Sequence, residues 1–323
     1  MNHLLYSAVA GVLPFFLGTK NCQRLSILTY HRVASGPDKM RPAVPTAEEF
    51  EWQMQLLANY FNPLSLTEAL RLMEFDELPP RAVCVTFDDG YADNHQIAFP
   101  VLQRLNIPAT VFVTTGYLNG GRMWNDTIIE TLRLAKGSVI DLSAIGLGEF
   151  DISYEANRVR VAAKIIKEVK HWTPERRQWA LSKIETVETN GSLPDGLMMS
   201  DAQVRDLSKN GVDIGAHTKT HPILATLDLE DAKREIMEPK EELEQLIGKP
   251  VVNFAYPNGR PEIDYLVEHR DLAEVSGYQC AVSTMWGAAT KHSDRWQLPR
   301  FTSWDKTSLR FLIRLLVNFR NAS

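Results

Sequence analysis

Two short runs of this sequence carry side chains suited to joint chemistry. Asp88 and Asp89 are adjacent in Thr86-Phe87-Asp88-Asp89-Gly90, and His217 and His221 stand four apart in His217-Thr218-Lys219-Thr220-His221-Pro222. Taken singly, Asp-Gly is a turn signal and a histidine pair is an ordinary surface feature. Two adjacent carboxylates at a buried strand end, however, need a cation or donors to satisfy them. Neighbouring side chains diverge, so one carboxylate can hold an ion while the other faces substrate or water. Two imidazoles four apart reach one ion from a helical turn or a tight loop. Two histidines and one carboxylate form an open three-ligand shell of the kind zinc uses in catalysis. The same set suits Fe(II) and other divalent ions.

The elements around these runs predict how they meet. Short apolar runs at 25–30, 82–87, 109–114, 212–216, 251–255, 280–284 and 297–302 read as strands. Helices are expected between them: from Thr46, with Glu49 completing a capping box, to residue 60; after Ser65 and Glu68, a second such box; and over 93–105, 200–210, 228–247 and 263–276. This alternation predicts an α/β fold with a mainly parallel sheet, and seven strands are enough for a closed or nearly closed barrel. Tyr30-His31, Asp88-Asp89, Thr114-Thr115, His217 with His221, and Tyr256-Pro257-Asn258-Gly259 all follow strand ends. In parallel folds those ends form one rim, where active sites collect. Residues 118–199 break the rhythm. They read as a mostly helical insertion in a strand-to-helix loop, placed to select substrate, with helices over 126–134, 155–171 and 173–189.

Composition sets the outer limits. The 323 residues are 44% hydrophobic and 23% charged, the balance of a folded globular chain. A net charge of −5 removes the main argument for nucleic-acid binding. Cys22, Cys84 and Cys280 form no CxxC pair, so neither a disulfide framework nor a thiolate zinc site is expected. Residues 4–17 are apolar but short for a spanning helix. No Lys or Arg precedes residue 20, so a secretory signal is disfavoured and a cytoplasmic, retained N-terminal segment (1–24) is expected. The last segment, 308–323, reads as an amphipathic helix with Arg310, Arg314 and Arg320. It is expected to dock on the core, and such a helix can also lie against a membrane surface.

Together the Asp-Asp-Gly run, the His217–Pro222 run and Phe254-Ala255-Tyr256-Pro257-Asn258-Gly259 resemble the polysaccharide deacetylase family, the NodB-homology domain of carbohydrate esterase family 4. The resemblance covers residues 25–117 and 200–302, in the family's order, within a domain drawn at 25–307. It implies a distorted (β/α)7 barrel. It implies Asp88 as general base and Asp89, His217 and His221 as ligands of a divalent metal, zinc by default. It implies a pocket lined by Tyr256 and Pro257, with the backbone N–H of Asn258 on the oxyanion. Many members carry an Arg where this chain has Ala255, and a late histidine where it has Leu298-Pro299-Arg300. That leaves the general acid open between His31 and Arg300. The Tyr256-Pro257-Asn258-Gly259 and Leu298-Pro299-Arg300 forms resemble the exopolysaccharide N-deacetylase branch.

The implied reaction is hydrolysis of an N-acetyl amide. The metal polarises its carbonyl, Asp88 takes a proton from water, and acetate and a hexosamine are released. Tyr91, Trp124, Tyr256, Trp286 and Trp304 are the aromatics expected near the rim, and Trp124 is singled out as a sugar-stacking residue. Chitin oligomers or peptidoglycan are alternative substrates. A non-carbohydrate amidohydrolase and a metal-containing glycan-binding module without turnover are alternative functions.

Overall fold

A computed structural model of the chain describes residues 23–321; the N-terminal apolar segment and Cys22 lie outside them. The strands β1 (Leu25–Tyr30), β3 (Ala82–Phe87) and β4 (Ala109–Val113) are buried along their whole length. Near-continuous apolar runs of this kind are what a strand covered on both faces requires. The main sheet is parallel, in the order β10 (Phe301–Thr302), β1, β3, β4, β7 (Asp213–Ala216), β8 (Asn253–Ala255), β9 (Cys280–Val282); the two-residue β2 (Asn62–Pro63) pairs with β3. Leu298 bridges Val282 at one edge, and Phe301 pairs with Leu28 at the other. One segment thus touches both edges, and the sheet is a curled, distorted parallel (β/α) barrel. Residues 297–300, expected as strand, contribute only that bridge, because Pro299 has no N–H for a ladder.

Helix α1 (Ala47–Tyr60) has the expected capping box: Glu49 N–H donates to Thr46 Oγ1 at 3.2 Å and Thr46 N–H to Glu49 Oε2 at 2.9 Å. The box expected at α2 (Leu66–Glu74) is only half formed. Ser65 accepts from Glu68 N–H, but the Glu68 carboxylate turns to Arg71. The helix expected over 93–105 divides into a π turn at Asn94–Ala98 and α3 (Phe99–Arg104). Pro100 sits at that junction and cannot donate, so the regular ladder fails there.

The insertion contains α4 (Trp124–Leu134), α5 (Glu155–Val169) and α6 (Pro174–Ile184). It also holds an unexpected antiparallel hairpin, β5 (Val139–Asp141) with β6 (Glu149–Asp151), whose three-residue strands are too short to announce a period of two. Trp124, Ile128, Leu132, Ile165 and Leu181 belong to a hydrophobic core of the insertion's own, separate from the barrel core. Arg41 pins it to the loop after β1, with Asp126 at 2.5 Å and Glu130 at 2.6 Å.

Four helices complete the barrel. They are α7 (Asp201–Lys209), α8 (Leu229–Ile247), α9 (Val267–Val275) and α10 (Ser308–Arg320). The start of α9 falls later than expected because residues 260–265 form a loop: buried Asp264 accepts from the Arg260 N–H and Nε, both at 3.0 Å. Helix α10 buries Phe311, Leu312, Leu315 and Phe319. Phe311 meets Trp52 edge-on at 5.8 Å and Phe319 stacks on Phe61 at 5.9 Å. Among the described residues Cys84 and Cys280 are buried and free.

Candidate active site

The rim of strand ends brings four of the sequence-selected residues together. β3 leads into Asp88 and Asp89, β7 into His217, and His221 follows in the next loop. Thr114, at the end of β4, buckles the two segments. Its N–H donates to the Asp89 carbonyl at 3.2 Å and its hydroxyl to the His217 carbonyl at 3.1 Å, while His217 N–H donates to Val113 at 3.0 Å. Asp89, Thr218 and His221 take φ values of 74°, 60° and 54°, a region non-glycine residues seldom adopt. The loop is held there by Glu235, which accepts the N–H groups of Lys219 and Thr220, each at 2.8 Å. Gly116 lies against it: its N–H donates to the Lys219 carbonyl at 2.8 Å, and a Cβ would stand 2.6 Å from that oxygen.

These residues fit a metal ion. One ligand atom each from Asp89, His217 and His221 lies within 4.8 Å of the others. His217 Nε2 is 3.4 Å and His221 Nε2 3.3 Å from Asp89 Oδ1, a buried oxygen with no hydrogen-bond partner. Ligands about 2.0–2.1 Å from one tetrahedral ion stand roughly 3.3–3.4 Å apart, so these contacts match the edges of such a shell. His217 Nδ1 lies 2.7 Å from the Ala255 carbonyl, which requires the proton on Nδ1 and leaves the Nε2 lone pair for the ion. Burial pushes the His221 imidazole down to about 4, against the pull of Asp89, so this ring is neutral at physiological pH. At His217 burial pushes the same way, but Asp89 and Asp88 outweigh it and the value is raised.

Asp88 has a different partner. Arg300 Nη1 and Nη2 donate to Asp88 Oδ1 and Oδ2, each at 2.7 Å, and Arg300 Nε donates to the Ser283 carbonyl at 2.8 Å. Asp88 is 2% exposed and Arg300 1%. Burial pushes the carboxyl up, but the guanidinium outweighs it and holds Asp88 below its ordinary value. Arg300 thus stands behind Asp88, its guanidinium engaged by that carboxylate and by the Ser283 carbonyl. His31, the other candidate acid, is exposed just past β1, where its carbonyl accepts from Asn94.

The remaining candidates divide. Asn258 sits at the rim at φ 57°, and its N–H donates to no acceptor among the described residues. Pro257 beside it is buried, with its carbonyl accepting from Gly259. Tyr256 does not line a pocket: it is fully buried, its ring stacks on Tyr265 at 3.7 Å, and its hydroxyl donates to Trp296. Trp124 is 7% exposed, in the insertion's core with Arg177 over its ring, and it borders a cavity shared with Tyr117. Tyr91 is also buried, whereas Trp286 and Trp304 are 45% and 57% exposed. Sequence reasoning missed the buckling role of Thr114, since a lone Thr carries no spacing signal.

The matches with known proteins follow this geometry. The family model for polysaccharide deacetylase matches residues 76–139 and 156–281, and the chain belongs to that family. This chain is a polysaccharide N-deacetylase, a hydrolase of carbon–nitrogen bonds other than peptide bonds. YxkH of Bacillus subtilis (strain 168) is 25% identical over 287 residues, covering 88% of this chain and 73% of that protein. The poly-beta-1,6-N-acetyl-D-glucosamine N-deacetylase of Staphylococcus epidermidis is 27% identical over 214 residues, 58% of this chain and 70% of that one. Among solved structures, the Streptococcus pyogenes deacetylase PplD in complex with acetate shares the fold, with a TM-score of 0.61 at 20% identity over 91% of this chain and 98% of that one.

Proposed function

We propose that this deacetylase removes N-acetyl groups from N-acetylhexosamine units of an exopolysaccharide or other surface glycan, with a divalent cation, zinc foremost, on Asp89, His217 and His221. The observation that carries this reading is the division of labour between adjacent carboxylates. Asp89 turns an unpartnered oxygen toward two imidazoles, while Asp88 is held apart by Arg300. The similarity to a poly-beta-1,6-N-acetyl-D-glucosamine N-deacetylase supports the glycan class.

A cation held there supplies Lewis acidity, acidifying water and polarising the acetamide carbonyl. The chain's own residues do the rest. Asp88 accepts the proton of the attacking water; Arg300 takes one lone pair of each carboxylate oxygen and leaves another free. The Asn258 N–H, without a protein acceptor, is available to the oxyanion, a contact worth about 3–4 kcal/mol in comparable sites. His31 is the exposed group placed to protonate the departing amine.

Metal analysis with acetate release from N-acetylated glycans tests this. The purified protein should hold one equivalent of divalent metal, and Asp89→Ala, His217→Ala or His221→Ala should each lose it. Asp88→Asn should keep the metal and lose about 10²–10⁴ in rate. Full metal occupancy in all three alanine variants, or undiminished deacetylation by Asp88→Asn, would sink the assignment.

We also infer peripheral contact with a membrane. Helix α10 leaves Leu309, Ile313 and Val317 exposed at helical spacing, with exposed Arg310 beside them and exposed Trp304 just before the helix. No described helix is long and apolar enough to cross a membrane.

A further inference from the structure

The helical insertion brings two cations to the rim, and neither meets a carboxylate among the described residues. Lys170, just past α5, donates from Nζ to Asn258 Oδ1 at 3.4 Å. Arg177 is 5% exposed; its Cζ lies 4.9 Å from the Trp124 ring centroid, and its hydrogen bond to protein is a long one, Nη1 to the Lys170 carbonyl at 3.5 Å. The buried indole N–H of Trp124 finds no acceptor either. Trp124 and Tyr117 line one cavity of about 300 Å³, and the Tyr117 hydroxyl donates to the Thr220 carbonyl at 3.2 Å, in the loop between the two histidines. Asn258, Lys170, Arg177 and Trp124 thus form one series of contacts, and Tyr117 and Thr220 another; the cavity that Trp124 and Tyr117 share is also lined by Arg122, Glu185 and Asp195.

A charge buried to the degree of Arg177 is almost always paired; Lys170 is half-buried. Two less buried arginines of the insertion are paired, whereas Arg158 is satisfied by backbone carbonyls. Arg122 meets Glu185 at 2.7 Å, and Arg133 meets Asp38 at 2.7 Å. Two acidic groups act on Arg177 without pairing with it: Glu235 on α8, already engaged by the amides of Lys219 and Thr220, and Glu175 in the first turn of α6. Burial pushes the Arg177 guanidinium down, as expected of a charge whose counter-ion has yet to arrive.

We propose that Arg177, assisted by Lys170 and the Trp124 indole N–H, recognises an oxyanion on the substrate: a phosphate or carboxylate borne next to the hexosamine that loses its acetyl group. The acetamide is neutral and cannot compensate a guanidinium. A phosphate or carboxylate presents the paired oxygens that a guanidinium fork, stacked on an aromatic, is shaped to take. The site then selects anionic glycans over neutral ones. This inference rests on the deacetylase reading above.

The test uses matched N-acetylhexosamine oligosaccharides: one neutral, one phosphorylated, one carrying a uronate. The metal-loaded wild type should prefer an anionic substrate by at least about tenfold in kcat/KM, mainly through KM, and the favoured anion identifies the source of the charge. Arg177→Gln should collapse that ratio toward one, and Arg177→Lys should restore part of it. Inorganic phosphate should raise the Tm of the wild type and not that of Arg177→Gln. Because the guanidinium is unpaired, Arg177→Gln should itself keep or raise the Tm; a fall of several degrees would assign a structural role and overturn the proposal. A wild type indifferent to substrate charge, or a preference surviving in Arg177→Gln, would also overturn it. Failure to release acetate from any of the three glycans counts against the deacetylase reading instead, and the phosphate-dependent Tm shift then decides the anion site alone.

Discussion

Asp88 and Asp89 differ by one bond along the chain and by nearly everything in their surroundings. One carboxylate is forked by a guanidinium, the other faces two imidazoles. Removing Arg300 tests what the fork does. In Arg300→Met burial still pushes Asp88 up, opposed only by the charges of His217 and His31, so its value rises and the acid limb of the pH–rate profile should move to higher pH. An unshifted limb would separate Arg300 from the base. The change should also cost about 3–5 kcal/mol of stability, because it strands a buried charge. The pH dependence follows from the depressed Asp88 value. Its contribution is complete above the ordinary carboxylate range, near ~3.9, and is lost as pH falls through the lower folded value. The clustering of Asp88, Asp89, His217 and His221 was legible, since chemistry selects Asp and His at strand ends. Their supports were not. A missing Arg at position 255 reads as a gap in the sequence, yet Arg300, just before β10, stands behind Asp88. The burial of Tyr256 and Trp124 was not legible for the reverse reason: an aromatic beside a strand end packs inward when a large neighbour such as Tyr265 or Arg177 lies against its ring.

Elements hold the site through backbone contacts that tolerate little added volume. Gly116 is the sharpest instance. Gly116→Ala should push the Lys219 carbonyl, displace His221 and weaken metal binding by about 10–100-fold, the range seen when groups supporting metal ligands are lost. Chelator titration would read this, and unchanged affinity would show that the loop gives way without moving its histidine. Helix α10 offers a second test at this scale. Leu309, Ile313 and Val317 to Ser together should reduce co-sedimentation with anionic vesicles while leaving the face bearing Phe311 and Phe319 intact; equal sedimentation would remove this helix from membrane contact. Strongly periodic elements with clear caps, such as α1 and α8, could be read directly. The π turn before α3, the late start of α9 and the β5–β6 hairpin could not, because Pro100, the Arg260–Asp264 clasp and three-residue strands act through contacts that periodicity does not record.

At the scale of the molecule the chain closes on itself. β1 lies between β3 and β10, Ser26 Oγ donates to Asn318 Oδ1 at 2.6 Å, and Arg24 donates to the Phe319 carbonyl at 2.7 Å. Removal of residues 308–323 should therefore expose Phe61 and Trp52, lower solubility and broaden thermal unfolding; a sharp, unshifted transition would show that α10 is dispensable. The barrel topology was readable from the alternation of strands and helices, whereas closure was not, since Leu298 and Phe301 reach the two edges with almost no strand between them. This closure has a consequence for synthesis on the ribosome. At about 5–20 residues per second, the first strand waits many seconds for its outer neighbour, the last strand. Until residues 298–320 leave the exit tunnel, one edge of β1 stays unpaired and the apolar surface meant for α10 stays bare. The nascent chain thus passes through an interval in which a holding chaperone has an obvious place to bind, and a ribosome that stalls late in the message releases a product unable to close.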